Sequence, residues 1–152
     1  MLRPDAPVSE VMREEFVSLK ATDRLDFADD IMKLGRIRHM PVLDGEKLVG
    51  IVSQRDLLAA SLSRALEFEP EQRRTFLRSV EVSEVMTRNV VSVSPDTPLS
   101  EVARLMIRHK VGCIPVVHAS GTPVGIVTET DMLRAAYELT GEYGGPRTPE
   151  PA

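Results

Sequence analysis

The chain is poor in aromatic residues and in cysteine: its 152 residues include no tryptophan, two tyrosines, four phenylalanines and one cysteine. A hydrophobic core must therefore be built from valine, leucine, isoleucine, methionine and alanine. The lone Cys113 excludes an intrachain disulfide and lies in an apolar run, which favours a small buried hydrophobe over a reactive thiol. No apolar stretch reaches the ~18–20 residues that span a bilayer, and the N-terminus lacks the apolar core of a signal peptide. These absences predict a cytoplasmic protein without a membrane partner.

The chain also lacks the signatures of common enzymes. It has neither the phosphate-binding loop that ends in Gly-Lys-Ser/Thr nor the Gly-x-Ser-x-Gly turn of hydrolases. Its three histidines, His39, His109 and His118, are not at the spacing of metal ligands. The formal net charge of −4 argues against a nucleic-acid binder, since such proteins usually carry a basic surface. We therefore expect no catalysis, no metal and no nucleic-acid partner.

What the chain does contain is an internal repeat. The run Val-Ser-Glu-Val-Met at 8–12 returns unchanged at 82–86, 74 positions later. The similarity continues through Pro-Val at 41–42 and 115–116, and the second copy then gains one residue in its turn. A repeat of fixed period sets the architecture before any local pattern is considered. Two copies predict one pseudo-symmetric domain whose halves pack face to face.

Each repeat has the pattern of a β-α-β-β-α unit, which places the chain in the α/β (α+β) class. An apolar, strand-like run comes first, at 16–19 and 90–93. Asp23 and Thr97 are predicted to cap the helices that follow. A hairpin then leads into a second helix in each repeat.

The repeat boundaries follow from this pattern. Repeat one is predicted to extend over 8–62 and repeat two over 81–139. A helical linker at 63–80 joins them, and the segment 140–152, rich in Gly and Pro, is predicted to be a flexible tail.

Two residue types constrain the elements further. Pro41 and Pro115 have no amide hydrogen, so they should lie at the start of a strand or at a sheet edge. The acidic residues Asp26, Asp29 and Asp30 of the first helix are expected to form a solvated face.

One motif occupies the same place in both repeats. Ser53 and Thr128 each follow a Gly-Ile-Val strand, and Asp56 and Asp131 stand three residues later. Two interpretations are open. A hydroxyl residue at the N-cap with an acid three residues on stabilises a helix start. The same amides and hydroxyl can bind phosphate, and the carboxylate can accept both hydrogen bonds of a ribose diol. The roles are compatible, and the duplication favours binding.

The order of these motifs resembles a tandem pair of CBS (cystathionine beta-synthase) domains, also called a Bateman module. The resemblance covers residues 8–139 and is carried by Val-Ser-Val-Ser-Pro-Asp-Thr-Pro-Leu at 91–99, Gly-Cys-Ile-Pro-Val-Val at 112–117 and Gly-Ile-Val-Thr-Glu-Thr-Asp at 125–131. It implies that adenosine-containing ligands, such as AMP, ADP, ATP or S-adenosylmethionine, bind in clefts between the repeats. It implies no catalysis and no obligatory cofactor; the ligand would be a regulatory signal to a separate partner protein.

The resemblance also implies site residues, with the base held by one repeat and the ribose and phosphate by the other. Asp56 and Asp131 would bind ribose, and Ser53 and Thr128 would bind phosphate. Apolar residues would enclose adenine: Val17, Ile37 and Met40 in the site of Thr128 and Asp131, and Val91, Val111, Gly112 and Ile114 in the site of Ser53 and Asp56.

The two implied sites are not expected to be equivalent. Arg38 and His39 stand where the second repeat has Gly112 and Cys113. Since arginine offers a bidentate fork for phosphate, the site with Arg38 and His39 is predicted to prefer phosphorylated nucleotides. The alternative is that this charged turn is solvated surface.

A second class of function is also open, a ligand-free dimerisation or scaffold module. Similar modules pair through their helices, and exposed apolar patches usually mark an interface. The predicted homodimer surface combines apolar residues of both second helices: Leu57, Leu58, Leu62, Met132, Leu133 and Tyr137.

Overall fold

Two compact units make up the part of the chain that the computed structural model describes, residues 3–62 and 70–137. The continuous unit is Phe16–Val90, and the split unit combines Met1–Glu15 with Val91–Ala152. Residues 63–69 of the predicted linker and the predicted tail at 140–152 lie outside the described residues.

The continuous unit has the predicted order of strands and helices, followed by one further helix. Its elements are β1 (Leu19–Lys20), α1 (Leu25–Gly35), β2 (His39–Asp44), β3 (Lys47–Ser53), α2 (Gln54–Leu62) and α3 (Pro70–Ser79). β2 is the central strand, which pairs in parallel with β1 and antiparallel with β3. The first strand differs from the prediction at 16–19, because only Leu19 and Lys20 pair with β2. Gly45 supplies the positive φ, 66°, of the turn between β2 and β3.

The split unit repeats this arrangement with a shorter first strand. Its elements are α4 (Leu99–His109), β4 (Cys113–Val117), β5 (Pro123–Thr128) and α5 (Glu129–Ala136). β4 and β5 form an antiparallel pair. The predicted strand at 90–93 is reduced to one parallel bridge, between Val93 and Val116. The mixed α/β class predicted from the sequence is confirmed.

Each unit has its own hydrophobic core, built from aliphatic, methionine and cysteine side chains as the scarcity of aromatic residues predicts. The predicted apolar faces of the first helices are buried in these cores. Their fully or nearly buried residues recur at the spacing of one helical face, in α1 as Leu25, Ala28 and Met32 and in α4 as Leu99, Val102 and Met106.

The two copies of the Val-Ser-Glu-Val-Met run are exchanged between the units. The first copy forms a short 3-10 helix, Val8–Glu10, in the split unit, which holds the strands and helices of the second repeat. The second copy forms Val82–Glu84 in the continuous unit. Val8 and Val82 are fully buried in the cores of those units. Each compact unit is therefore assembled from parts of both sequence repeats.

The residues two positions before each exchanged run supply the groups that cap the first helices. The Leu99 amide at the start of α4 donates to the Ala6 carbonyl at 2.9 Å, and the Leu25 amide of α1 donates to the Val80 carbonyl at 2.9 Å. The first amides of a helix have no acceptor within it. Here backbone carbonyls from a distant part of the chain satisfy them.

The prediction that Asp23 and Thr97 are N-caps is wrong. Each helix begins two residues further on, without a side-chain cap. Asp23 instead accepts a hydrogen bond from the Lys20 amide at 2.7 Å, and Thr97 accepts one from the Ser94 amide at 3.1 Å. Both side chains close the turn that precedes the helix.

The prediction for proline is confirmed at one position and wrong at the other. Pro115 lies in β4, an edge strand of a two-stranded sheet. Pro41 is the third residue of β2, the central strand, opposite Ile51. The amide and carbonyl of Ile51 bond to Thr87 and so point away from β2, as in a non-hydrogen-bonded pair. Pro41 therefore removes no hydrogen bond between β2 and β3.

The described part of the predicted linker is α3, a helix that packs on α1. Leu77 is 1% exposed and belongs to the core of the continuous unit. Three ion pairs join the two helices: Arg73–Asp29 at 3.8 Å, Arg74–Asp30 at 3.1 Å and Arg78–Asp26 at 3.5 Å. The expectation of a merely solvated acidic face is therefore wrong. The hydrogen bond from Arg74 lowers the pKa of Asp30.

The predicted homodimer surface is only partly apolar and exposed. Leu58, Leu133 and Tyr137 are exposed, at 54%, 58% and 72%. Leu57 is 3% exposed and lies in the core of the continuous unit, so its assignment to the surface is wrong. Met132 is half-buried against the core of the split unit. The side chain of Leu62 lies outside the described residues.

Candidate functional site

The repeated hydroxyl–aspartate motif forms a closed hydrogen-bond pair at each junction of strand and helix. The Ser53 amide donates to Asp56 Oδ2 at 2.8 Å, and the Asp56 amide donates to Ser53 Oγ at 3.0 Å. In the split unit the Thr128 amide donates to Asp131 Oδ2 at 2.9 Å, and the Asp131 amide donates to Thr128 Oγ1 at 3.2 Å. The predicted capping role is confirmed in both repeats.

A second contact fixes each helix start to the preceding loop. The Gln54 amide donates to the Arg38 carbonyl at 2.8 Å, and the Glu129 amide donates to the Gly112 carbonyl at 3.0 Å. The first and third amides of α2 and α5 are thus already engaged. A phosphate bound at such a helix start would meet mainly the second amide. Phosphate binding would therefore depend more on nearby side chains than on the helix-start amides that the sequence analysis considered.

The two carboxylates have different surroundings. Asp131 is 6% exposed; its Oδ1 accepts from Arg13 Nε at 3.0 Å and lies 3.8 Å from Arg134 Nη1. Asp56 is half-buried, and within residues 3–62 and 70–137 it forms no ion pair. In the repeat alignment Thr87 stands at the place of Arg13. The sequence reasoning missed Arg13, although it is the first mismatch after the identical five-residue runs.

The structure places the predicted phosphate residues of the first repeat beside the Ser53–Asp56 junction. Arg38 is exposed, and its carbonyl holds the first amide of α2. His39 is half-buried and faces Ser53 in the register of β2 and β3. All four residues belong to the continuous unit, whereas Thr128 and Asp131 belong to the split unit. The predicted combination of Arg38 and His39 with Thr128 and Asp131 stays a prediction.

The predicted adenine-pocket residues differ in exposure. The side chains of Met40 and Ile114 are fully buried in the two cores, so a ligand contact from either residue would come from its backbone. Val17 is 41% exposed. The others are half-buried: Ile37 in the continuous unit, and Val91, Val111 and Gly112 in the split unit.

Cys113 lies next to the split unit's junction, opposite Thr128 in the register of β4 and β5. It is 5% exposed, which confirms the buried hydrophobe expected from the sequence. Burial raises the pKa of the Cys113 thiol to about 12, and the charge of Asp131 acts in the same direction.

We expect Cys113 to be unreactive toward a thiol reagent in the folded protein at pH 8. The rise in pKa from 9.0 to about 12 lowers the thiolate fraction about a thousandfold, and the thiolate is the nucleophile. Since the unfolded thiol ionises first, the free energy of unfolding should fall as the pH rises above 9. The rate of reaction with dithiobis(nitrobenzoate), followed by the absorbance of the released thionitrobenzoate, is compared for the folded protein and for the protein unfolded in urea. Equal rates in the two conditions would contradict it.

The described residues contain neither a cluster of metal ligands nor a membrane-spanning helix. Within 3–62 and 70–137, no three or more histidine, cysteine, aspartate or glutamate side chains are grouped so that they could hold a metal ion. In the same part of the chain, no helix has the length and apolar character needed to cross a bilayer. The predicted cytoplasmic location stays a prediction.

Solved structures with the same fold include ligand complexes. A Vibrio cholerae protein described as a candidate acetoin utilization protein is 39% identical, with a TM-score of 0.72 over 88% of this chain and 91% of that one. CBSX2, solved in complex with AMP, is 29% identical, with a TM-score of 0.73 over 88% and 98%. The CBS domain pair of protein MJ0100, in complex with 5′-methylthioadenosine and S-adenosyl-L-methionine, is 27% identical, with a TM-score of 0.71 over 86% and 99%.

Curated relatives include both small proteins and long enzymes. A CBS domain-containing protein of Dictyostelium discoideum is 33% identical over 127 residues, which cover 83% of this chain and 88% of that protein. A homoserine O-acetyltransferase of Methanohalobium evestigatum is 29% identical over 87% of this chain, but the match covers only 24% of the enzyme. Most of that enzyme's length therefore lies outside the similarity.

The family model of the CBS domain matches the chain twice, at residues 8–63 and 82–138. These matches fall on the two sequence repeats and together cover well over half of the chain. They confirm the resemblance drawn from the motifs. The chain belongs to the CBS domain family and contains two CBS domains in tandem.

Proposed function

We propose that the chain binds an adenosine-containing ligand, AMP, ADP, ATP or S-adenosylmethionine, and that the bound ligand changes how the chain interacts with a separate partner protein. The observation that carries this proposal is the duplicated junction, where a strand ends at a hydroxyl residue whose amide donates to the carboxylate of an aspartate in the first turn of the next helix. The complexes of CBSX2 with AMP and of MJ0100 with two adenosine derivatives support this choice of ligand.

The ribose diol is the part of such a ligand that a fixed carboxylate recognises best. Asp56 uses Oδ2 to accept from the Ser53 amide, and within the described residues its Oδ1 has no hydrogen-bond donor. A carboxylate can accept hydrogen bonds from both hydroxyls of a ribose. Because capping already orients the Asp56 side chain, little rotamer freedom remains to be lost on binding.

Arg38 and His39 are the proposed phosphate-binding residues, here for a ligand whose ribose is held by Asp56 of the same unit, in place of the pairing with Asp131 that the resemblance implies. Arg38 is exposed and adjoins the Ser53–Asp56 junction through its backbone. Its guanidinium can form two parallel hydrogen bonds with a phosphate. We therefore expect AMP to bind more tightly than adenosine. Equal affinities would favour the alternative that Arg38 and His39 are solvated surface.

Isothermal titration calorimetry of ligand-free protein with AMP, ADP, ATP and S-adenosylmethionine tests the proposal. We expect Asp56→Asn to weaken binding at least about tenfold, because it replaces an acceptor of a charge-assisted hydrogen bond with an amide. Asparagine keeps an oxygen for the Ser53 amide, so the cap should survive. Asp44→Asn is the matched control, since Asp44 is an exposed aspartate of the same unit.

The contrary result would favour the scaffold function. If none of the four ligands produces heat or raises the melting temperature, the junctions serve capping alone, because a ligand that binds only the native state must stabilise it. The exposed Leu58 of the continuous unit, and Leu133 and Tyr137 of the split unit, would then be the main candidates for contact with another chain. The proposed homodimer is checked separately by sedimentation, with Leu58→Ser and Leu133→Ser expected to shift the chain to monomer.

A further inference from the structure

We infer that Arg13 blocks ribose binding at Asp131, so that a nucleoside binds first at Asp56 and the Asp131 junction accepts one only when Arg13 moves away. This inference rests on the proposed function and adds a regulation of the same junctions. Three observations carry it: the hydrogen bonds of Asp131, those of Asp56, and the residues that stand beside each carboxylate.

The carboxylate of Asp131 is fully engaged within the split unit. Oδ2 accepts from the Thr128 amide and from the Thr128 hydroxyl, each at 2.9 Å. Oδ1 accepts from Arg13 Nε at 3.0 Å, and Arg134 lies at 3.8 Å. With 6% of Asp131 exposed, a ribose hydroxyl would have to replace Arg13 at Oδ1.

The carboxylate of Asp56 is less engaged. Oδ2 accepts from the Ser53 amide, and among the described residues no donor reaches Oδ1. Within the described part of the chain the Ser53 hydroxyl accepts from the Asp56 amide and donates to no acceptor, whereas the Thr128 hydroxyl donates to its aspartate. One oxygen and one hydroxyl hydrogen are therefore available to a ligand at this junction.

The difference originates in one position of the repeat. Arg13 and Thr87 follow the identical five-residue runs, and both exchange two backbone hydrogen bonds with a strand, Arg13 with Ile126 and Thr87 with Ile51. The backbone is held in the same way in both units. Only the side chain differs, and the threonine side chain is uncharged, so it cannot form an ion pair with a carboxylate.

A neutral ribose competes poorly with this ion pair. Hydrogen bonds between two ionised groups are stronger than those from neutral hydroxyls. The Arg13 backbone is fixed to β5, so its guanidinium stays close to Asp131 and acts at a high effective concentration. A buried carboxylate that loses its cation is also costly. The ion pair therefore favours the ligand-free form of this junction.

The test is calorimetric titration with AMP of the wild type, Arg13→Thr and Thr87→Arg. We expect the wild type to take up one equivalent, and this event to weaken at least about tenfold in Asp56→Asn. Arg13→Thr should take up a second equivalent, which disappears when Asp131→Asn is added. Thr87→Arg should weaken the first event about tenfold or more, because a guanidinium then competes for Asp56.

The controls separate this effect from loss of folding or of charge. Arg13→Thr introduces threonine, which the other unit already has at the equivalent position, Thr87. The variant should therefore fold, and circular dichroism checks this. Arg104→Thr is the matched control. Arg104 is an exposed arginine of the same unit that pairs with Glu101, and its loss should leave one equivalent.

The outcomes distinguish this inference from the proposed function. If AMP binds no variant, the proposed function fails for AMP and the inference fails with it. If AMP binds the wild type at two equal sites, or if Arg13→Thr leaves one equivalent, the inference alone is overturned. A loss of affinity in Arg13→Thr with unchanged stoichiometry would also overturn it, since Arg13 would then contact the ligand.

Discussion

Gly125→Ala is expected to lower the free energy of unfolding by about 2–3 kcal/mol. Gly125 lies in β5, where the exchanged segment of the first repeat crosses the strand. A Cβ at this position would stand 2.7 Å from Met12 Sδ and 2.9 Å from the Arg13 carbonyl oxygen. The methionine side chain can move, but the Arg13 backbone cannot move freely, because its amide and its carbonyl both form hydrogen bonds with the Ile126 backbone. The strand or the crossing segment must therefore shift.

Thermal unfolding measures this effect, and we expect the melting temperature to fall by roughly 5–10 °C. Hydrogen exchange should show the loss of protection first at the Arg13 and Ile126 amides. Gly112→Ala is the matched control: the atoms nearest to its Cβ would be those of the exposed Glu129 side chain, from 3.3 Å, a flexible group that can move. Equal effects of the two substitutions would contradict the argument from close approach.

Leu77→Ala is the second large effect, with an expected loss of about 3 kcal/mol in the free energy of unfolding. Leu77 is 1% exposed and belongs to the core of the continuous unit. Truncation to alanine removes buried methyl groups and leaves a cavity between α3 and α1. Phe76 of α3 also packs against this core. The arginines in the ion pairs of α3 are partly exposed, and such pairs contribute little to stability.

Urea unfolding of the full chain, followed by circular dichroism, measures this loss. Leu34→Ala is the matched control, since Leu34 on α1 is 87% exposed and its truncation should change stability by less than about 0.5 kcal/mol. If Leu77→Ala had no larger effect than Leu34→Ala, α3 would be a linker without a structural role. A large effect would make α3 a part of the continuous unit.

Both predictions concern segments that the structure places in another unit than the repeat boundaries suggest: residues 8–12, predicted in repeat one, lie in the split unit, and Leu77, predicted in the linker, lies in the continuous unit. The five residues at 8–12 and 82–86 are identical, so their own properties cannot decide which set of strands each one joins. In each unit a glycine leaves room for the exchanged segment to cross the strand. A Cβ at Gly50 would meet Met86, and a Cβ at Gly125 would meet Met12. Substitution of Gly50 should therefore act as substitution of Gly125 does.

The sequence by itself determined the features that depend on neighbouring residues. The order of strands and helices, the apolar faces of α1 and α4, and the caps at Ser53 and Thr128 follow from periodicity and from hydrogen bonds that span three residues. The repeat also located both junction carboxylates, Asp56 and Asp131. Patterns of this kind can be predicted from the sequence because the residues that interact are only three or four positions apart.

Only the tertiary structure decided the contacts between distant parts of the chain. Arg13 and Asp131 are 118 positions apart, and no local pattern connects them. The same holds for the Ala6 and Val80 carbonyls that replace the predicted caps Asp23 and Thr97. Side-chain caps were expected because a helix start needs acceptors. Once the exchanged segments supply backbone carbonyls at that place, the side chains are released to close the preceding turns.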